Sequence, residues 1–507
     1  MADLTKRAWV RQASYCNNPQ APSKRTAPSK RNAPSKRNVS SKRNGGVAII
    51  MAIVLLVIIG FTALAIDLGY LMLGKTQMQA ASDSSALAGG TELMPGLGRF
   101  ATKTPAEVES AARPVAVAFA AANRAADLDA VYINDSRDIQ FGQAIFDPSG
   151  GSWVQSIGTS PYNMVRVTAR RDQDGSTAGD QRVPLFFARV LGNDESSLST
   201  ISAAAIFPAK GFDVNDEGEA SGVMPFAFKQ RVWRRLEDAQ DWYRNADGTT
   251  QVIPPTYTPG DPNYPMHQPA DGGPAEPMFH RHAYDNQGDL LYDADGNPIW
   301  EQDIFDNFYY DDPGNPNETG PVSGGEGDPT PDGWLEVDLY PAPLGGAITA
   351  GNAGTIDLGD TDNAASAIRD QILYGLTYSD YVAMESQNIL TDGQLVLNPD
   401  ENIEAEVNGD TGLSGGPIEQ AMNEIIGQSR AITLYDHDVV AGPGNTVTYT
   451  LTEFVGIRVM FARLTGNFDN KHIWIQMAPH IDGTGIPDTG DPPGPDTTVF
   501  TPLILIE

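Results

Sequence analysis

Gly69, Gly74, Lys75 and Thr76 stand at the spacing GxxxxGK[ST] of a phosphate-cradling loop. In such a loop backbone N–H groups surround the phosphates, the lysine reaches the terminal one and the hydroxyl helps hold magnesium. The residues between, Tyr70, Leu71, Met72 and Leu73, are bulky and apolar. The apolar stretch before them is far longer than a strand of about five residues. The pattern therefore predicts a helix leaving a bilayer with Lys75 at its outer interface, not a nucleotide site.

Asp293, Asp295 and Asn297 have the spacing of the first three calcium ligands of an EF-hand loop. The match ends there, since Pro298 takes the place that needs glycine for the sharp turn. Hairpin turns account for these residues. The acids Asp303, Asp306, Asp311 and Asp312 leave calcium as the one cofactor alternative, because a divalent ion would offset their charge. His280 and His282 flank Arg281, with His267 upstream. Alternate histidines on a strand share a face and can ligate zinc. No cysteine or acid motif accompanies them, so surface polar positions are expected. His437, His472 and His480 are scattered. The chain contains no nucleophile elbow, HExxH or Ser/His/Asp signature. Catalytic, cofactor-binding and metal-ligating residues are therefore assigned to none, and an enzyme is not expected.

The elements that would carry these residues begin with a charge asymmetry. The 507 residues carry a formal net charge of −31, yet residues 1–44 hold 11 Lys/Arg against one acid, Asp3. A six-residue Ser-Lys-Arg unit repeats four times over 21–44; it is too polar and Pro-rich to bury a face, and disorder is expected. Residues 47–66 follow, twenty without a charge, ending at Asp67. As a helix they would span about 30 Å, the hydrocarbon thickness of a bilayer. Cations before the span predict a cytoplasmic N-terminus and a translocated C-terminal bulk. The run exceeds a signal-peptide core of about 7–15 residues, so an uncleaved anchor is expected despite the cleavage-like Ala63-Leu64-Ala65. Val47, Ala48, Ala52, Gly60, Ala63 and Ile66 mark it, its small residues suited to helix packing. A single cysteine, Cys16, excludes an intramolecular disulfide framework. The acidic body excludes nucleic acid as a partner, because phosphates would be repelled.

Residues 44–90 resemble the N-terminal segment of the TadE/TadG-like Flp (Tad) pilus-assembly proteins. The matching positions are Gly46, Val47 and Ala48; Ile66, Asp67, Leu68 and Gly69; then Met78, Gln79, Ala81, Asp83, Ala86, Leu87 and Ala88. Further resemblance lies in 165–170, 183–189 and 351–359. Longer members of that family carry a von Willebrand factor A domain with an Asp-x-Ser-x-Ser metal motif. Asp83-Ser84-Ser85 and Asp194-Glu195-Ser196 both fail at its last serine. A prepilin-type signal would need glutamate where Met51 stands. The resemblance implies an anchored accessory or scaffold protein of pilus assembly, with the lipid bilayer and other pilus-assembly or envelope proteins as partners. The alternative is a membrane-tethered envelope binding protein unrelated to pili, with calcium as its candidate cofactor.

Beyond the anchor, Thr104-Pro105-Ala106-Glu107 has the residues of a helix start, with the helix expected to run to about Ala126. Strands are expected at 139–146, 164–169 and 199–207, with a short helix at 184–191. Helices at 364–374 and 417–428 precede strands at 446–451, 456–464, 472–477 and 499–506. The fold class is α+β: a transmembrane helix continues into a pilin-like helix-plus-sheet region, and a second α+β ectodomain with long Pro/Gly/Asp loops follows. The expected divisions are a disordered basic head (1–44), anchor and helical extension (45–93), pilin-like region (94–210), loop- and hairpin-rich acidic region (211–333) and C-terminal domain (334–507).

Overall fold

A computed structural model describes residues 46–216, 218–245, 249–284, 290–306, 332–340, 354–359, 365–409, 415–436, 447–466 and 471–506. The basic repeats, Asp311, Asp312, His437 and most of the Tyr284 turn lie outside these residues. The fold mixes helix and sheet, as expected. By contacts it forms two units, residues 1–61 and 62–507.

In the first unit the described residues are the start of one helix, α1 (Gly46–Gly90), whose side chains at 47–61 are all exposed. Its long apolar residues, with no proline and no glycine pair before Gly89-Gly90, leave nothing to interrupt it. From Asp67 onward, inside the second unit, α1 acquires a buried face. Asp67, Gly74, Met78, Ala81, Ser82, Ser85 and Ala86 are buried at spacings of three, four and seven, one side of a 3.6-residue helix.

That face packs on a second helix and a five-stranded sheet. Helix α2 (Pro105–Ala121) starts with the expected capping box: the Thr104 side chain accepts from the Glu107 N–H and the Glu107 side chain accepts from the Thr104 N–H. It buries Val108, Ala112, Ala116 and Ala120, four apart. The helix ends at Ala121, not near Ala126, because the chain turns there and Ala126 adopts a left-handed φ of 52°.

The sheet is formed by β1 (Ile139–Asp147), β2 (Ser152–Ile157), β3 (Met164–Arg171) and the strands Leu198–Ala205 and Ile504–Ile506. Its order is β2, β1, β3, Leu198–Ala205, Ile504–Ile506, antiparallel throughout. The expected closing strand at 499–506 is two short strands, Val499–Phe500 and Ile504–Ile506. Pro502 separates them and has no N–H to give a ladder. The expected helix at 184–191 is a strand, Val183–Pro184, and one 3-10 turn, Ala188–Leu191.

A seven-stranded sheet carries most of the rest. Its order runs Ile304–Phe305, Glu336–Tyr340, His472–Met477, Thr448–Arg463, Ser429–Tyr435, Val223–Lys229, with Ala405–Asn408 also on Thr448–Arg463. The two strands expected at 446–451 and 456–464 are the single 16-residue strand Thr448–Arg463, continued through register shifts. The stretch 211–333, expected to be loop- and hairpin-rich, also supplies strand Val223–Lys229 and helix Gln230–Tyr243. That helix buries Trp233, Leu236, Ala239 and Tyr243 in the core beneath the large sheet.

Candidate functional site

Part of the family-like motif, Asp67, Gln79, Ala81, Asp83, Ala86 and Ala88, lies along the seam where α1 docks on the body. Asp67 opens it. Its carboxylate accepts from the backbone N–H of Phe186 (2.9 Å to Oδ1), Phe187 (3.0 Å to Oδ2) and Ala188 (2.6 Å to Oδ2). Three donors satisfy a carboxylate that is almost wholly removed from solvent. Tyr70, one turn further, meets the Phe186 ring edge-on at 5.0 Å.

Three turns on, Gln79 and Asp83 form a polar knot with the strand Leu198–Ala205. Gln79 Nε2 donates to Asp83 Oδ1 (2.8 Å) and Ser202 Oγ (2.9 Å). The Ser202 hydroxyl donates to Asp83, and its Oγ lies 2.8 Å from that of Ser82. Ser85 Oγ donates to the Ala116 carbonyl of α2 at 2.7 Å. Each bond joins α1 to a segment more than thirty residues away in sequence or steadies a partner in that joint.

Small residues fill the intervals. Ala81 and Ala86 are fully buried, and Ala88 is nearly so. A Cβ on Gly89 would lie 3.1 Å from that of Ala116, and one on Gly90 would lie 2.7 Å from Leu503 Cδ2. Leu87 is half-buried beside the same core, whereas Leu68 and Gly69 lie on the exposed side of α1. Of the anchor positions, Val47, Ala48, Ala52, Gly60 and Ile66 are exposed and Ala63 is partly buried; Gly46 opens the helix.

The other sequence candidates fall elsewhere. Residues 69–76 are α-helical, and the Thr76 hydroxyl donates to the Met72 carbonyl at 3.1 Å. Helical backbone N–H groups are spent within the helix and form no phosphate cradle. Asp293 Oδ1 accepts from the N–H of Asp295 (2.9 Å) and Asn297 (2.8 Å), which makes the trio a turn. Asp303 is buried in an ion pair with Arg235. Asp306 accepts from the Tyr243 hydroxyl and from the N–H of Asp332 and Gly333, and one oxygen each of Asp306, Asp332 and Glu336 lie within 4.8 Å of one another. Burial pushes the Asp306 carboxyl up to about 6.

His280 and His282 are not plain surface positions. With Lys229, Arg231, Arg281 and Trp300 they line a cavity of about 370 Å³. Burial pushes both imidazoles down, toward the neutral form. His267 is buried too, with its Nδ1 2.6 Å from Asp238.

The sequence reading missed the partners of this seam: the amides at 186–188, Ser202, and Thr200, whose Oγ1 lies 3.3 Å from Ser82 Oγ. A signal did exist. Thr200 and Ser202 are small polar residues at alternate positions of an expected strand, on one face, and both are buried.

Family comparison follows these same boundaries. A model of TadE/G-like Flp pilus-assembly proteins matches residues 45–92, nearly the extent of α1. A model of Tad-like Flp pilus-assembly proteins matches residues 78–205, from the docked end of α1 through strand Leu198–Ala205. No match was found among curated proteins or solved structures. Over residues 45–205, the docked helix and the sheet that receives it, the chain resembles the Tad/Flp pilus-assembly family.

Proposed function

We propose that the chain is a single-pass membrane component of Flp pilus assembly, TadG-like, with its N-terminus in the cytoplasm and its body outside. One observation carries this reading. Within a single helix the apolar stretch buries no face among 47–61, while the stretch from Asp67 docks by a polar code onto a sheet. An apolar helix surface with no protein cover is suited to lipid, and a docked continuation transmits its position to the body. The work is mechanical and recognitional rather than catalytic. The bilayer and other pilus-assembly or envelope proteins are its partners, and nucleic acid is not.

Deleting the gene in its native host and counting surface pili by electron microscopy tests the role. Loss of pili, restored by the full chain and not by one lacking residues 47–66, is expected. Unchanged piliation would overturn it and favour the envelope-binding alternative. The basic cavity beside His280 and His282 would then be the first place to look for a ligand.

A further inference from the structure

We propose that residues 185–191 form a second membrane contact, with the side chains of Phe186, Phe187, Val190 and Leu191 entering the bilayer surface beside α1. The inference rests on the membrane-anchor reading above.

Depth is the first argument. Asp67 is the first charged residue after the apolar run, and its carboxylate clasps the N–H groups of Phe186, Phe187 and Ala188. The loop is therefore fixed at the level where the helix leaves the apolar run. Residues 47–66 take up the roughly 30 Å of the hydrocarbon core, and each headgroup layer adds only about 5–7 Å, so the outer headgroup zone falls on Asp67 and the turn that follows it. The outer face of α1 stays apolar across it and just beyond, with Leu68, Met72 and Leu73 exposed. A carboxylate at this depth needs donors other than water, and the loop amides supply them.

Exposure is the second. Phe186, Phe187, Val190 and Leu191 are 55%, 44%, 84% and 78% exposed within seven residues. A loop surrounded by water would not gather four such side chains at its tip, and a contiguous exposed apolar patch marks a contact surface. Continuity with the apolar face of α1 selects lipid as the occupant. Arg189 folds back so that its Nε and a terminal nitrogen reach the Leu185 carbonyl at 3.0 and 2.8 Å, which ties the one cation of the loop to its own backbone. Gly192, at φ +88°, turns the chain away from this tip.

The test uses the full chain with Cys16→Ser, reconstituted in vesicles of three parts phosphatidylcholine to one part phosphatidylglycerol. A single cysteine, Val190→Cys or Leu64→Cys, carries an environment-sensitive fluorophore. Lipids spin-labelled at shallow or deep acyl positions and aqueous iodide serve as quenchers. The expected result is that deep labels quench the Leu64 site, shallow labels quench the Val190 site, and iodide reaches neither well. With Leu64 in lipid, quenching of Val190 by iodide alone overturns the loop contact and leaves the anchor standing. Val190 shielded from both quenchers is covered by protein, which also overturns it. Iodide quenching at Leu64 overturns the anchor reading, and this inference with it.

Discussion

Asp67 shows how a single carboxylate decides where a lipid-compatible helix becomes part of a folded body. Three amides converge on it, and an amide side chain could not accept from all three with equal strength. In Asp67→Asn the amides of Phe186, Phe187 and Ala188 should exchange with deuterium about tenfold faster, since charge-assisted bonds outweigh neutral ones. Unchanged protection there would contradict the clasp. Asp306 gives a second residue-scale expectation. Burial pushes its carboxyl up to about 6, opposed by the Tyr243 hydrogen bond and reinforced by Asp332. The folded state therefore holds this proton more tightly than the unfolded chain, where an aspartate titrates near 4. Its contribution to stability is fully present below about pH 4 and is lost as pH rises through about 6. Thermal melts should show the difference in Tm between wild type and Asp306→Asn falling across that window. A difference that stays level would contradict the raised carboxyl.

At the scale of elements, α1 is one helix with two kinds of surroundings: no side chain at 47–61 is buried, and from Asp67 onward one face is. The stripe Met78, Ala81, Ser82, Ser85 and Ala86 is buried, while Ala80 beside it is exposed. Overfilling such a seam typically costs about 1–3 kcal/mol. Ala81→Leu should lower stability by that order in chemical denaturation, and Ala80→Leu should change it by less than about 0.5 kcal/mol. Equal effects would mean the helix docks on another face. These elements differ in how legible they are from sequence. The capping box at Thr104, the alternation of Val165 and Val167 and the apolar run are local signals and gave α1, α2 and β3 directly. Strand Ser429–Tyr435 carries no such alternation. Ile432 and Leu434 enter one core cluster and Ala431 and Tyr435 the other, so both faces are buried and the period of two disappears. Helix Gln230–Tyr243 has a clear stripe in Trp233, Leu236, Ala239 and Tyr243, but no side chain caps its start. The Pro-rich surroundings then suggested loop. Of the candidate site, the α1 half was legible as a motif. The half contributed by residues 186–188, 200 and 202 depends on tertiary placement that spacing does not encode.

Taken whole, the chain puts strand Ile504–Ile506 on the edge of the same sheet that receives α1, so a C-terminal tag would follow the body to whichever side of a membrane the proposed arrangement gives it. In the proposed arrangement the basic head stays in the cytoplasm and the strongly acidic body lies outside it. The most direct test is protease access to a C-terminal tag in intact cells, in cells with a permeabilised outer membrane, and after lysis, with the protein followed by fractionation and gel size. The account predicts full-length protein in the membrane fraction, with the tag cut once the outer membrane is opened. A tag protected until the cytoplasmic membrane is broken would place the body in the cytoplasm and contradict the anchored, outward-facing arrangement.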